Sequence, residues 1–200
     1  MHPANLFKVE DEARLLAHLD HHPLVTLAAA PEGRPLVAYA PVVPRRIDGR
    51  LVLDFHLSRA NALTPYLAMG FPAVMVSLGA DVYVSPDWYE GADQVPTWNY
   101  MSVEAEGPVE VLDEAGLVTL LDDLSIQEEA RLAPKPPWTR GKMGPGKFEA
   151  MLGGIIGARL TVDRLEGTFK LSQNKPAADK AGVIAALGDH PIARLMADEG

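Results

Sequence analysis

The sequence of 200 residues contains no cysteine, which excludes disulfides, thiolate metal ligands and a cysteine nucleophile. It also has no apolar run close to the roughly 20 residues that a membrane-spanning helix requires. The first ten residues include His2, Asn5, Lys8 and Glu10 and lack the apolar segment of a signal peptide. These absences predict a cytoplasmic protein that is not attached to a membrane.

Basic residues are also in short supply, because 18 lysines and arginines stand against 27 aspartates and glutamates, a formal net charge of −9. No stretch of the chain gathers enough lysine and arginine to offset the repulsion between such a surface and a polyanion. The sequence also lacks a helix-turn-helix pattern with a basic recognition helix. Direct binding to DNA is therefore disfavoured.

Catalytic motifs are equally scarce. The sequence has neither the Gly-x-Ser-x-Gly pattern of a nucleophile elbow nor the Gly-x-Gly-x-x-Gly pattern of a dinucleotide site. Gly141–Lys147 matches seven positions of a P-loop, but Phe148 replaces the Ser or Thr that binds magnesium, and Pro145 has no N–H to donate. Three histidines end the first predicted helix: His18, His21 and His22. They are interpreted as surface residues, so the sequence identifies no metal site and no catalytic residue.

Apolar periodicity in the first half of the chain predicts one helix and a series of short strands. The helix covers Asp11–Asp20 and is followed by strands at Leu24–Ala30, Leu36–Val43 and Leu51–Leu57. A short helix over Ala60–Met69, capped by Ser58 or Asn61, comes next. Further strands are expected at Ala73–Leu78, Val82–Ser85 and Thr97–Leu112, the last of them interrupted at Gly107-Pro108.

The second half adds helices to this β pattern. Asp113 caps an amphipathic helix at about 114–130, with four leucines on one face: Leu117, Leu120, Leu121 and Leu124. Ala133–Gly146 is rich in proline and glycine and is interpreted as a loop. A strand carrying Leu160, Val162 and Leu165, a strand at Thr168–Leu171 and a helix over Pro176–Leu187 complete the chain. Six or more short strands with peripheral helices predict an α+β antiparallel barrel or sandwich.

The segment Gly167–Pro176 concentrates hydrogen-bonding side chains around a short apolar strand. Lys170 offers a fixed positive charge, while Gln173 and Asn174 offer paired donors and acceptors that can read the polar edge of a planar heterocycle. The structural alternative is a polar hairpin that pairs with itself. We interpret the segment as a ligand site.

Two further segments have the same character. His56–Asn61 follows a predicted strand, and there Arg59, with Ser58 and the backbone amides of a helix start, suits a phosphate group. The alternative is an ordinary helix cap with a solvated Arg59. In Val95–Tyr100, the rings of Trp98 and Tyr100 project to one face of a strand and Asn99 to the other, a pattern that by itself is more typical of a core than of a cofactor platform.

At these three segments, and at Met1–Phe7, Tyr83–Tyr89 and Arg164–Gly167, the chain resembles the PaiB-like family of FMN-binding proteins, labelled negative transcriptional regulators. The resemblance implies a mainly β fold, an antiparallel split β-barrel with peripheral helices. It implies a single FMN-binding domain over residues 1–200 and a homodimer with FMN at the subunit interface. The chain departs from the family in lacking a Met-Tyr start and in the composition of residues 133–146.

The resemblance also implies roles for individual residues. The phosphate-side motif of the family matches His56, Ser58, Arg59 and Asn61. The element beside the flavin matches Trp98, Asn99 and Tyr100, and the edge of the ring is met by Lys170, Gln173 and Asn174. A lysine near the N1 and C2 carbonyl region would stabilise the anionic reduced flavin.

Three functions are compatible with this resemblance. The implied function is a negative transcriptional regulator that acts indirectly or through a partner, or a flavin-linked redox sensor. The alternative is an FMN-dependent oxidoreductase or flavin reductase that uses NADH or NADPH. Without a dinucleotide fingerprint, a nicotinamide nucleotide would dock transiently over the flavin. The fold alone does not choose among these functions.

Overall fold

The computed structural model describes residues 4–198, so Met1, His2 and Pro3, which open the resemblance, lie outside the described residues. The described chain has eight strands, of which six close into an antiparallel barrel and two extend the sheet, with helices at the periphery. The predicted split barrel is therefore confirmed, and the sandwich is excluded. No helix within residues 4–198 is long and apolar enough to cross a bilayer.

The strands, in chain order, are β1 Lys8–Val9, β2 Leu24–Ala29, β3 Leu36–Ile47, β4 Arg50–Ser58, β5 Phe71–Val84, β6 Thr97–Val111, β7 Ile155–Thr161 and β8 Arg164–Lys170. The helices are α1 Glu12–His21, α2 Glu114–Ala130, α3 Lys147–Leu152, α4 Ala177–Leu187 and α5 Pro191–Asp198. Short 3-10 helices occur at Asn5–Phe7, Pro31–Gly33, Thr64–Met69, Pro86–Trp88 and Arg140–Lys142.

The chain divides into two compact units. The barrel unit consists of Leu19–Ser77 and Glu104–Arg164. The terminal unit consists of the stretch up to His18, Leu78–Val103 and the stretch from Leu165 onward. Strands β5 and β6 contribute a part to each unit. The single domain expected over residues 1–200 stays a prediction.

In the barrel unit the strands follow the order β5, β2, β3, β4, β7 and β6 around the ring. The ring closes where Val109–Val111 of β6 pairs with Ala158–Leu160 of β7. Side chains alternate between the inside and the outside of the ring. Leu53, Phe55 and Leu57 of β4 point inward and are almost fully buried, so the outward face of this strand carries Val52, Asp54, His56 and Ser58.

Helix α2 covers the outer face of β3, β4 and β7. The buried residues of this contact are Val43, Leu117, Leu120 and Leu124. The carboxylate of Asp113 accepts the N–H of Gly116 at 2.7 Å and caps the helix as the sequence predicts. Gly157 of β7 allows the close approach, because a Cβ at this position would lie 3.1 Å from the Cβ of Leu117. The amphipathic helix of the prediction is therefore confirmed.

A buried ion cluster lies between α2 and the barrel. Asp54 of β4 is 2% exposed and stands opposite Arg159 of β7, which donates hydrogen bonds of 2.6 and 2.9 Å to its two oxygens. These bonds raise the pKa of Arg159. Arg45 of β3 donates to Asp54 at 3.0 Å and to Asp123 of α2 at 2.5 Å. The cluster joins three strands to the helix.

The terminal unit contains the β1–β8 pair and the packed helices α4 and α5. Gly182 of α4 lies so close to the Trp88 carbonyl that a Cβ would be 2.2 Å from its oxygen. The buried carboxylate of Asp179, also on α4, accepts the N–H groups of Glu90 at 2.9 Å and Gly91 at 3.1 Å. These contacts fasten α4 to the segment after β5.

Several expectations about secondary structure are wrong. Strand β5 is continuous over Phe71–Val84, where the sequence predicts two strands. Strand β6 continues through Gly107, because the missing side chain lets the backbone pass the Thr161 carbonyl, where a Cβ would lie 1.8 Å from the oxygen. The region Ala60–Met69 is a turn followed by a 3-10 helix rather than an α-helix.

Other features are absent from the prediction. The sequence does not predict the short elements β1, α3 and α5. They contain two, six and eight residues, which is too few to show a clear periodicity. His18 is not a surface residue, because it is 5% exposed and its ring lies 5.6 Å from the ring of Phe169. The contact with Phe169 explains why His18 is buried although His21 and His22, with which the sequence groups it, are exposed.

Candidate functional site

His56 lines a cavity of about 630 Å³ in the barrel unit. The position opposite it on β7 is Gly157, which adds no side chain beside the imidazole. The Nδ1 atom is buried and has no hydrogen-bond partner in the described part of the chain, and burial lowers the pKa of the ring. His56 is therefore a neutral imidazole with an unused polar atom that a ligand could satisfy.

The wall of this cavity is largely apolar and comes mainly from α2, α3 and the loop between them, with single residues of β3, β4 and β7. Its apolar residues include Leu121, Leu124, Trp138, Phe148, Met151 and Ile155. Arg140 pairs with Asp122 at 3.2 Å and lies 5.1 Å from the centre of the Phe148 ring. Glu129 of α2 accepts the N–H of Trp138 at 2.7 Å. The loop is thus fastened to α2, and the cavity has the size and lining of a small-molecule site.

The turn after β4 uses two of the predicted phosphate-side residues for its own structure. Ser58 Oγ accepts the N–H of Ala60 at 3.2 Å, and Asn61 Oδ1 accepts the N–H of Leu63 at 2.9 Å. The N–H groups of Arg59 and Asn61 bind backbone carbonyls at 3.0 and 2.9 Å. These amides are satisfied within the chain, so the contribution of backbone amides to phosphate binding stays a prediction without support from this turn.

Arg59 differs from its neighbours because its guanidinium is exposed and forms no ion pair or hydrogen bond with residues 4–198. It lines a second cavity of the barrel unit, of about 370 Å³, together with Asp113, Glu114 and Glu149. Leu152 contributes to both cavities. Arg59 is available to an anion, although three nearby carboxylates weaken the positive potential around it.

In the terminal unit, β6 places Trp98 and Asn99 on opposite faces, as the alternation predicts. Trp98 is 53% exposed and meets the ring of Tyr83 edge-on at 6.1 Å, while Tyr100 is half-buried. Asn99 is fully buried and its Nδ2 donates to Ser172 Oγ at 2.9 Å. Trp98 thus offers aromatic surface to a ligand, whereas the amide of Asn99 is used inside the protein.

The C-terminal motif also divides into engaged and available groups. Gln173 folds back on its own strand end, where its amide binds the Phe169 carbonyl at 2.6 Å and the N–H two residues earlier at 2.7 Å. Lys170 Nζ donates to Thr97 Oγ1 at 2.5 Å. Asn174 is exposed, its side-chain amide has no hydrogen bond within the described residues, and it lines one cavity with Lys170. Lys170 and Asn174 are therefore brought together, and Gln173 supports them.

FMN combines a flat apolar ring, a polar ring edge and a phosphate dianion. The apolar cavity and the unpartnered Nδ1 of His56 fit the ring and its edge, and the free guanidinium of Arg59 fits the phosphate. Ser58 and Asn61 fit less directly, because their oxygens already accept backbone bonds. The residues of the barrel unit therefore fit FMN, with His56 and Arg59 as the groups that would hold it.

The sequence interpretation misses the residues that build the cavity wall. Trp138 and Arg140 belong to Ala133–Gly146, which is interpreted only as a loop, and Phe148 counts only against the P-loop match. A tryptophan within a loop rich in proline and glycine is the signal that could have identified the wall, since tryptophan is on average largely buried. Trp138 itself is 40% exposed. Lys175 lies within the C-terminal motif but is not among the candidates.

The closed split barrel and its cavity define a class, the flavin-binding split-barrel proteins. The sequence model of the family described as "Putative FMN-binding domain" matches residues 1–164. The chain therefore belongs to this FMN-binding family, and the predicted FMN cofactor is confirmed.

The chain is 25% identical over 200 residues to protease synthase and sporulation protein PAI 2 of Bacillus subtilis (strain 168), a match that covers 99% of this chain and 95% of that protein. The resemblance to the PaiB-like family is thereby confirmed.

Two solved structures are similar in fold. The FAD and heme binding protein from Mycobacterium smegmatis superimposes with a TM-score of 0.58 and 22% identity, over 92% of this chain and 82% of that one. The flavocytochrome Anf3 from Azotobacter vinelandii gives a TM-score of 0.59 and 19% identity, over 90% of this chain and 78% of that one. At these identities the likeness concerns the fold alone.

Proposed function

We propose that this chain is a flavin-linked redox sensor of the PaiB-like regulator family, which holds FMN without a covalent bond. The observation that carries the proposal is the pair of available groups at the end of β4. His56 lines the 630 Å³ cavity, and its buried Nδ1 has no hydrogen-bond partner among the described residues. Arg59, three residues later, presents a guanidinium without a partner among the described residues. The fold satisfies neither group, so both retain hydrogen-bonding capacity, and Arg59 is also exposed to solvent.

Each residue has a stated part in this proposal. Arg59 pairs with the phosphate, because a planar guanidinium can bind two phosphate oxygens at once. His56 forms a hydrogen bond to the polar edge of the ring, while Ser58 and Asn61 hold the turn that presents Arg59. Bound FMN supplies a reversible electron store.

The candidates of the terminal unit enter the proposal through the resemblance. Trp98, Tyr100, Lys170 and Asn174 are proposed as flavin contacts of the family type. Asn99 and Gln173 are proposed as the residues that keep these contacts in position, since their amides are engaged in the protein.

The regulatory role is proposed to operate through a protein partner. A formal net charge of −9 opposes approach to DNA, a polyanion. A change in the redox state of the flavin would then alter which partner the protein binds. The regulator label of the family and the likeness to PAI 2 support this reading.

We also propose that the protein is a homodimer with FMN at the subunit interface. The outward face of β2 and β3 supports the dimer because its large side chains are apolar and solvent-exposed: Leu24 is 64% exposed, Val37 59% and Tyr39 71%. The pairing of Thr26 with Tyr39 and of Ala28 with Val37 keeps these side chains on one continuous surface. A contiguous apolar surface of this kind is typical of a protein interface.

The first test is to incubate the purified protein with FMN, desalt it and record the absorbance spectrum, with mass spectrometry of the compound released by heat. We expect a retained flavin spectrum and FMN as the released compound. The second test compares FMN with riboflavin. Arg59→Gln should weaken FMN binding about tenfold, equivalent to one charge-assisted bond, and leave riboflavin binding unchanged.

Arg34→Gln is the matched control, because Arg34 is also an exposed arginine of the barrel unit and lines neither cavity. Equal losses of FMN affinity in the two variants would refute the role of Arg59. A colourless protein after incubation with FMN would refute flavin binding as a whole. If the FMN-bound protein oxidises NADH or NADPH faster than free FMN does, the proposed sensor function would be refuted in favour of a flavin reductase that uses a nicotinamide nucleotide.

A further inference from the structure

The terminal unit contains a cavity of about 350 Å³ that two lysines line, Lys170 and Lys175. Thr97, Ser172 and Asn174 add hydroxyl and amide groups to the same wall. Among the described residues that line it there is no aspartate and no glutamate. In a chain with a formal net charge of −9, this is a local concentration of positive charge without its own counter-ions.

The partners of both lysines are neutral. Lys170 Nζ donates to Thr97 Oγ1 at 2.5 Å, and Lys175 Nζ donates to Gln94 Oε1 at 2.6 Å. Lys175 also lies 4.5 Å from the centre of the Tyr89 ring. Neither ammonium forms an ion pair within residues 4–198. Because an ammonium has three N–H donors, each lysine retains donors for a ligand.

Asp179 is a buried acidic residue of the same unit, and its carboxylate is engaged elsewhere. The carboxylate of Asp179 accepts the N–H groups of Glu90 and Gly91. Burial raises the pKa of Tyr89, and the negative charge of Asp179 raises it further. Asp179 makes no ion pair with Lys175 in the described chain. The positive charge at the cavity is therefore left for an external anion to neutralise.

The two ammonium groups also disfavour each other. Burial lowers the pKa of Lys170, and the charge of Lys175 lowers it further. Two like charges held at one cavity cost free energy in the absence of a ligand, and a bound dianion would remove this cost. The geometry thus favours a ligand that carries two negative charges over one that carries none.

We propose that this cavity of the terminal unit is an oxyanion-binding site that takes a phosphate group, with Lys170 and Lys175 as its charge partners and Asn174 as a hydrogen-bond donor. Lysine serves phosphate as a compact point charge, and an exposed amide can donate two further bonds. The phosphate group has two possible sources: the phosphate of FMN, which would then pair with these lysines instead of Arg59, or a separate phosphorylated ligand. Both sources share the chemistry that the lysines recognise.

The test is calorimetric titration of the full-length protein, in a buffer free of phosphate and sulfate, with inorganic phosphate as the probe. We expect saturable binding that weakens at least tenfold in the Lys170→Gln/Lys175→Gln double variant. Lys170→Arg/Lys175→Arg, which keeps both charges, should restore most of the affinity. Lys180→Gln, a lysine of the same unit outside the cavity, is the matched control and should bind as the unchanged protein does.

Absence of saturable phosphate binding, or equal affinity in the Gln double variant, would overturn the proposal. The thermal midpoint of each variant without phosphate shows whether the variant is folded. If the Gln double variant is unfolded, the comparison of the Arg double variant with the unchanged protein still tests the proposal. Competition between phosphate and FMN, but not between phosphate and riboflavin, would assign the site to the phosphate of FMN. Simultaneous binding of phosphate and FMN would assign it to a separate ligand.

FMN binding is measured in the same buffer before phosphate is added. Loss of FMN binding with retained phosphate binding would refute the flavin proposal and leave the oxyanion site intact. Retained FMN binding without phosphate binding would refute the oxyanion site and leave the flavin proposal intact. The two proposals therefore fail separately.

Discussion

Asp54 and Arg159 face each other across β4 and β7, joined by hydrogen bonds of 2.6 and 2.9 Å. The carboxylate is 2% exposed and also binds Arg45 at 3.0 Å. One buried carboxylate therefore balances two guanidinium groups. Arg45 also pairs with Asp123, so the cluster links the barrel to α2.

Replacement of Asp54 by Ala should lower the free energy of unfolding by about 3 kcal/mol, because it leaves the partly buried guanidinium of Arg159 without its carboxylate partner and Arg45 with Asp123 alone. The measurement is urea unfolding followed by circular dichroism. Asp163→Ala is the matched control, since the Arg50–Asp163 pair has both side chains about 60% exposed and should contribute less than about 1 kcal/mol. Similar losses in both variants would contradict the structural role of the buried cluster.

Gly107→Ala should destabilise the protein by about 3 kcal/mol or prevent folding, because the added Cβ would overlap the Thr161 carbonyl oxygen. Gly144→Ala is the control, since no atom lies within 4 Å of the Cβ position there. Thermal unfolding of the two variants measures the difference. A Gly107→Ala protein as stable as the Gly144→Ala protein would show that the strands can separate at this point without cost.

Stability should fall as the pH drops below 6.5. Burial lowers the pKa of His56 from its ordinary value of 6.5, so the unfolded chain binds a proton at a pH where the folded chain does not. The contribution of His56 is complete above pH 6.5 and is lost progressively toward the lowered pKa of the folded state. The pKa of His22 is also lowered, first by partial burial of its ring and then by the charges of His21 and Arg131. His22 acts in the same direction but contributes less, because it is largely exposed and solvent screens these charges.

His56→Gln should therefore flatten part of this decline, and His22→Gln a further part. The measurement is the free energy of unfolding of the FMN-free protein from pH 7.5 down to pH 5, by urea titration at each pH. The same slope in the unchanged protein and in His56→Gln would contradict the assignment of a neutral, buried imidazole at the cavity.

Asn99→Ala should destabilise the FMN-free protein by about 1 to 3 kcal/mol, because the buried hydroxyl of Ser172 loses its partner. Asn174→Ala is the control and should change stability by less than about 0.5 kcal/mol, since Asn174 is exposed. Urea unfolding without flavin separates a structural role from ligand contact. Unchanged stability together with weaker FMN binding would identify Asn99 as a direct flavin ligand instead.

Much of the barrel can be predicted because its information is local. In β2, buried Val25 and Leu27 alternate with less buried neighbours, and four leucines at helical spacing define α2. The choice between barrel and sandwich depends on a pairing that periodicity does not contain. Val109 meets Leu160 across a segment that includes α2, the loop and α3, and only the family resemblance anticipates the closure.

The candidate site is predicted less completely because one residue type serves two purposes. An asparagine that caps a turn and an asparagine that binds a ligand look the same in a sequence, so Asn61 and Asn174 receive equal weight there. Their partners separate them: Asn61 accepts the Leu63 N–H, while the amide of Asn174 has no partner among the described residues. The prediction fails in the opposite direction at Trp138. The sequence places it in a loop without a function, whereas the structure places it in the wall of the cavity.

The β6–β7 pairing that closes the ring has a dynamic consequence. It spans three residue pairs, whereas β4 and β7 share seven. Short ladders open by local fluctuation more readily than long ones. The amide hydrogen of Leu112, which binds the Gly157 carbonyl at 3.0 Å at the end of this ladder, should therefore exchange with deuterium sooner than the amide hydrogens of Leu53–Leu57. The other edge of β7 belongs to the longer ladder with β4. The β6–β7 pairing can therefore open locally while β4, the strand that carries His56, stays paired with β7.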